Sequence, residues 1–134
     1  FFIKLPQYLK KESILILAKR NKNIIAGALN FISNNILYGR YWGSNTNVKN
    51  LHFEVCYYQA MELAIKNKYV KVEAGAQGAH KIKRGYLPKI TYSAHFIFNE
   101  KLELAIKNFL EEEREIVLKD INYIKKKYSP YKTI

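Results

Sequence analysis

The chain has 134 residues, 49% of them hydrophobic and 25% charged, a balance that suits one folded domain and excludes a disordered tail. Its formal charge of +12 favours polyanionic partners, and its single cysteine, Cys56, excludes an internal disulfide. No apolar run approaches the roughly 18 residues of a membrane span and no leader pattern marks export, so the expected compartment is the reducing cytoplasm.

The chain opens Phe1-Phe2-Ile3 and its only methionine is Met61. The expectation is a single domain over residues 1–134 that forms the C-terminal part of a longer protein. The charge is uneven: residues 1–98 hold 15 Lys or Arg against four acids, and the remainder is nearly balanced. Two readings follow. Either the first 98 residues present a basic face to phosphates, or the chain is simply rich in lysine, which supplies 19 of the 23 bases.

In chain order, Ser13 to Lys19 and Ile24 to Ser33 are apolar, β-branched runs separated by Arg20-Asn21-Lys22-Asn23, which predicts a hairpin. Asn34-Asn35 turns the chain into a third strand, Ile36 to Trp42, whose alternation puts Tyr38 and Arg40 on one face, Leu37 and Tyr41 on the other. After a polar loop, Leu51, Val55, Tyr58, Met61 and Ile65 recur at helical spacing and predict a helix over Leu51 to Lys66. Tyr69 to Ala74 alternates again as a strand, with a parallel crossover from the third. A short helix over Gln77 to Arg84 and a strand over Ile90 to Phe98 come next. Asn99 then caps a long helix whose stripe includes Leu102, Ile106, Phe109, Ile116 and Ile124, with Lys125 to Lys127 suiting its end and Ser129-Pro130 stopping it. These elements predict an α+β fold built on a mixed, mostly antiparallel sheet flanked by helices.

The stretch Glu73 to Pro88 is the least ordinary. Gly75 and Gly78 after a strand permit close backbone approach, and Lys81 and Arg84, three apart, share a helical face. The segment, with Gln77 inside it, is a candidate cradle for phosphate or carboxylate; the plainer reading is a turn with solvated bases. It matches neither the P-loop nor the dinucleotide pattern. His80 is of the type that exchanges protons near neutrality, and Glu73 at a strand's end is either a base or an ion-pair partner for a lysine. On the preceding helix, His52, Cys56 and Gln59 share one polar face and Glu54 with Tyr57 another. Cys56 and His52 form either a nucleophilic pair or, more plainly, a small buried thiol beside a polar ring. The histidines and cysteine lack the ligand spacing of a metal site. The aromatics Tyr38, Tyr41, Trp42, Tyr57, Tyr58, Tyr86 and Tyr92 suit base stacking or an ordinary core, and no nucleic-acid-binding motif accompanies them.

Gly39-Arg40-Tyr41-Trp42-Gly43, Leu51 through Gln59, Glu73 through Lys81, Arg84 through Pro88 and Thr91 through His95 resemble a bacterial family of peptidoglycan biosynthesis or recognition proteins, itself similar to the FemAB and GNAT acyltransferases. The likeness runs through nearly the whole chain. It implies a GNAT-like fold and an N-acyltransferase that moves an acyl or aminoacyl group to an amine, the acceptor being a peptidoglycan precursor. The implied donor is acyl-CoA or aminoacyl-tRNA, without a metal, and the implied partners include tRNA and an N-terminal domain packed against this piece. Gly43 to Asn50 lacks the glycine-rich pyrophosphate-binding pattern of acetyl-CoA users. On chemistry, Glu73 or Glu54 would accept the amine's proton and Tyr57 or His80 would assist the leaving group. Lys81 and Arg84 would hold a donor phosphate, with His52, Gln59, Gly75, Gln77 and Gly78 contacting substrate. The competing expectation is a non-catalytic basic domain that binds a cell-wall precursor or RNA.

Overall fold

The computed structural model describes residues 1–76 and 78–131. The chain divides into two compact units, Phe1–Gln77 and Gly78–Ile134.

The first unit has the expected α+β character. After a short helix α1 (Leu5–Tyr8), whose Pro6 suits a first turn, a four-stranded sheet runs β1 (Ser13–Arg20), β2 (Asn23–Ser33), β3 (Ile36–Ser44) and β4 (Lys71–Glu73) in that spatial order. The first three strands are antiparallel, and β4 lies parallel to β3. Both hairpins turn on two residues of positive φ, Asn21-Lys22 and Asn34-Asn35, the backbone that two-residue hairpins need to match strand twist.

Between β3 and β4 the chain forms one helical run in three parts: α2 (Leu51–Phe53), a π turn (Glu54–Tyr58) and α3 (Gln59–Lys66). Val55, Tyr57, Ala60 and Ala64 are buried on its inner side, and Ala26, Ala28 and Leu37 are buried on the sheet. Alanines on both layers let the two backbones approach closely, so Leu37, fully buried at 0% exposure, fills the space between them. The run ends as helices commonly do: Tyr69 N–H reaches Ala64 O at 2.9 Å and Lys68 N–H reaches Ile65 O at 3.1 Å, with Lys68 at φ +57°. Asn35 then ties this end to the β2–β3 turn, donating from Nδ2 to Lys68 O at 3.2 Å and accepting from Val70 N–H at 2.9 Å. That pair of bonds sets β4 beside β3.

The second unit carries a 3₁₀ helix (Ala79–Arg84) and α4 (Glu100–Tyr128). The 3₁₀ helix closes on Gly85 at φ +89°, and Tyr131 Oη donates to Gly85 O at 2.9 Å. The positive φ at Gly85 favours glycine, and a Cβ there would lie 2.8 Å from the hydroxyl at the movable end of the Tyr131 side chain. Asn99 caps α4 as expected, its Oδ1 accepting Leu102 N–H at 3.1 Å, and Lys125, Lys126 and Lys127 occupy the last turn before Ser129. No residue of α4 is buried; Leu102, Phe109 and Ile116 are all exposed. No described helix is long and apolar enough to cross a membrane.

Three expectations are corrected. Ile90 to Phe98 forms no strand: no ladder partner pairs with it, and Tyr92 and Phe98 stand more than nine-tenths exposed. Alternation alone does not hold a strand whose backbone groups have no neighbour. The strand expected over Tyr69 to Ala74 pairs only at Lys71–Glu73. Tyr41 does not share the face of Leu37, because β3 gains an extra residue between them.

Two outcomes follow from this packing. Leu37→Ala should cost about 2 to 5 kcal/mol in a urea titration, since it removes the best-buried side chain between sheet and helix. Asn99→Ala should loosen the start of α4 by about 1 kcal/mol, read as a roughly fivefold faster hydrogen exchange at the Leu102 amide.

Candidate functional site

Three departures from regular structure meet in the first unit. The β2–β3 register pairs Asn30 with Gly39 but Leu29 with Tyr41, which leaves Arg40 as a bulged, unpaired residue. From there onward the faces of β3 are exchanged, so Trp42, opposite buried Ala28, turns toward the helical run. The parallel ladder of β3 with β4 ends at Tyr38–Glu73, just before the bulge.

The third departure is the π turn. Gln59 N–H bonds to Glu54 O, five residues back instead of four. In a regular α-helix, residues five apart point about 140° away from each other. Here the π turn between them lets His52 and Tyr57 face the same side, with ring centroids 5.4 Å apart at 85°. His52 also meets the edge of Trp42 at 5.3 Å, so the helix and the bulged strand are joined through one imidazole.

Between these features lies a cavity of about 110 Å³. β2 lines it with Ala28 and Asn30, and β3 with Gly39, Arg40, Tyr41 and Trp42. His52, Cys56 and Tyr57 line it from the helix, and Ala74 from beyond β4. Arg40 is exposed at its rim, the guanidinium 4.8 Å over the Tyr41 ring. Burial pushes the Cys56 thiol up to about 11. Gly39 keeps the floor open: a Cβ there would stand 3.5 Å from Glu73 O and 3.7 Å from Asn30 Oδ1.

Of the residues expected from sequence, His52 and Tyr57 lie at this cavity. Glu54 is exposed and accepts a hydrogen bond from Gln59 Nε2 at 2.9 Å, so those two side chains hold each other. Glu73 pairs with Lys71, and Gly75 is exposed at φ +73°, where a Cβ would meet open space. Gln77 lies outside the described residues. Gly78, His80, Lys81 and Arg84 belong to the second unit, where Arg84 Nη1 donates to His80 O at 2.8 Å. Burial draws the Lys81 ammonium below its ordinary value.

Sequence reasoning did not place Asn30, Gly39, Arg40 and Trp42 at a site. One signal was legible. Asn30 is a lone amide in the apolar run Ile24 to Ile32, at a position whose alternation points to the core. The bulge and the π turn leave no comparable mark.

A family model for FemAB-like proteins, described as peptidoglycan biosynthesis/recognition, matches residues 1–133. No curated protein and no solved structure gives a match. The match spans the cavity-lining strands, the π turn and the second unit alike, and the chain belongs to the FemAB-like family of peptidoglycan biosynthesis/recognition proteins.

Proposed function

We propose that the chain is an N-acyltransferase acting on an amine acceptor in peptidoglycan precursor metabolism, with the cavity of the first unit as the place where the amine is held and deprotonated. The observation that carries this reading is the convergence of an imidazole, a phenol and a guanidinium on one small cavity of mixed polar and apolar lining. The order of three antiparallel strands, a helical run and a parallel strand supports a GNAT-like arrangement. Membership of the FemAB-like family supports the cell-wall context.

The chemistry is a transfer between a donor ester or thioester and an amine. The amine lone pair attacks the acyl carbon, a C–N bond forms, and the carbonyl electrons move onto oxygen. His52 takes the proton that the nitrogen sheds. As the carbonyl re-forms, the C–O or C–S bond to the donor breaks and its electron pair leaves with the donor, which takes a proton from Tyr57. Transfer from the imidazolium to the phenolate restores both side chains. His52 and Tyr57 are preferred to the carboxylates in these roles because both line the cavity, and Glu54 and Glu73 do not. The proposed donor is acyl-CoA or aminoacyl-tRNA.

Cys56 is not the nucleophile in this scheme. With its thiol pushed up to about 11 by burial, it holds its proton throughout the neutral range. Burial raises the folded-state value above the ~8.5 of an unfolded cysteine. The stabilisation that comes with the neutral thiol is therefore complete below about pH 8.5 and is lost as pH climbs toward about 11.

Two measurements check these assignments. With an acyl donor and an amine-bearing precursor, His52→Ala should lower turnover about 10²- to 10⁴-fold while Glu54→Gln stays within a few-fold of wild type. Wild-type turnover in His52→Ala and Tyr57→Phe together would remove the cavity from the reaction, and no turnover of any donor by the unaltered protein would favour a binding domain. Separately, iodoacetamide at pH 8 should label Cys56 in the folded protein about two orders of magnitude more slowly than in the urea-unfolded chain. Equal rates would show that the thiol is not held protonated.

A further inference from the structure

Asn30 is the one buried polar side chain among the described core residues, 1% exposed on β2 and lining the cavity. Its Nδ2 donates to Ala28 O at 3.2 Å. That bond fixes the orientation of the amide, because the flipped form would set two oxygens against each other. Oδ1 therefore lies on the opposite side, toward Gly39, and accepts a hydrogen bond from no described residue. That oxygen is not sealed from the cavity that Asn30 lines, so an occupant of the cavity can donate to it. Gly39 leaves the way to it clear: its φ is not in the left-handed region and a Cβ would meet only ordinary contacts, so neither strain nor clash calls for glycine there, and what its missing side chain leaves is the space beside Asn30 Oδ1.

Arg40, the bulged neighbour of Gly39, has the complementary property. Its guanidinium lies over Tyr41 and forms no ion pair or hydrogen bond with a described residue. It stands exposed at the rim of the same cavity, offering a fork of donors that suits a carboxylate. Between the acceptor in the floor and the cation at the rim the walls are Trp42, His52 and Tyr57, which favour a short apolar stem. A cavity of ~150 Å³ holds a benzene, so one of about 110 Å³ holds a group of four or five heavy atoms.

We propose that Asn30 Oδ1 receives an N–H of the acceptor's amine and that Arg40 receives a carboxylate of the same molecule, so that the cavity selects a short-stemmed amino carboxylate. Asn30 and Arg40 are positioning residues for the substrate, and Gly39 is the opening through which it reaches Asn30. The naming of the nitrogen as a nucleophile rests on the transferase reading above; the binding itself does not.

Trp42 is the chain's only tryptophan and lines the cavity, so its fluorescence reports occupancy directly. The full chain is titrated, without any acyl donor, with ω-amino carboxylates of two to five methylenes. The controls are the carboxylate lacking the amine and the amine lacking the carboxylate. The expected result is a saturable change with one preferred stem length, with each control at least tenfold weaker. Gly39→Ala, whose methyl finds only ordinary contacts, should keep the wild-type melting temperature and weaken binding at least tenfold; Arg40→Gln should abolish the advantage of the carboxylate alone. No saturable change, an amine-free carboxylate that binds as well as the amino carboxylate, or unaltered binding in Gly39→Ala would overturn the assignment of Asn30. Equal binding of the carboxylate-free amine would overturn that of Arg40. Saturable binding with no acyl transfer would remove the transferase reading and leave this one standing, whereas transfer with an unchanged amine KM in Gly39→Ala would do the reverse.

Discussion

Pleated strands alternate faces with a period of two, so a single unpaired residue at Arg40 exchanges the faces of everything after it in β3. Before the bulge, Leu37 and Gly39 look toward the helical run; after it, Trp42 does, opposite Ala28. Without the extra residue Tyr41 would occupy that side. As it is, the Tyr41 ring lies 5.2 Å from that of Phe2. The bulge thus delivers the indole that closes one wall of the cavity and frees the arginine that stands at its rim.

The π turn answers the bulge from the other layer. In a regular α-helix residues five apart diverge by about 140°, so neither His52 with Tyr57 nor Val55 with Ala60 would share a face. The π turn between His52 and Gln59 lets the two rings meet while α3 continues with its small residues against the sheet. Its backbone remains bonded, through the contact of Gln59 N–H with Glu54 O, so the irregularity changes direction without leaving orphaned groups. The edge contact of Trp42 with His52 is where the bulge and the π turn meet.

The legible part of the fold was the part governed by short-range pattern. Alternation located β1, β2 and β3, Arg20-Asn21-Lys22-Asn23 and Asn34-Asn35 located the turns, and Asn99 with the terminal lysines bounded α4 to within a residue. The invisible part was decided by partners. Ile90 to Phe98 alternates as well as β1 does, yet only β1 has a neighbour to bond with. In the candidate site, His52 and Tyr57 were legible as helix residues with useful side chains, although α-helical spacing put them on different faces. Asn30, Gly39, Arg40 and Trp42 depend on the register of two strands, which residue types alone do not specify.

The two units also owe their stability to different physics, and this bears on where function sits. α4 has no fully buried residue, its only half-buried apolar ones being Ile106, Leu110, Ile121 and Ile124, and is also supported by its cap, its terminal charges and the exposed i,i+4 pairs of Glu103 with Lys107 and Glu115 with Lys119. The first unit is held by burial, where every group left out of the packing has a cost. It is there that an amide occupies a core position on β2, between Ala28 and a glycine that leaves its oxygen bare. A sequence that is otherwise consistent in placing small apolar residues against its helix departs from that rule at Asn30, beside the bulge and facing the π turn. Local rules tend to be broken where a site needs them broken, and three such breaks around one cavity are harder to attribute to folding than any one of them.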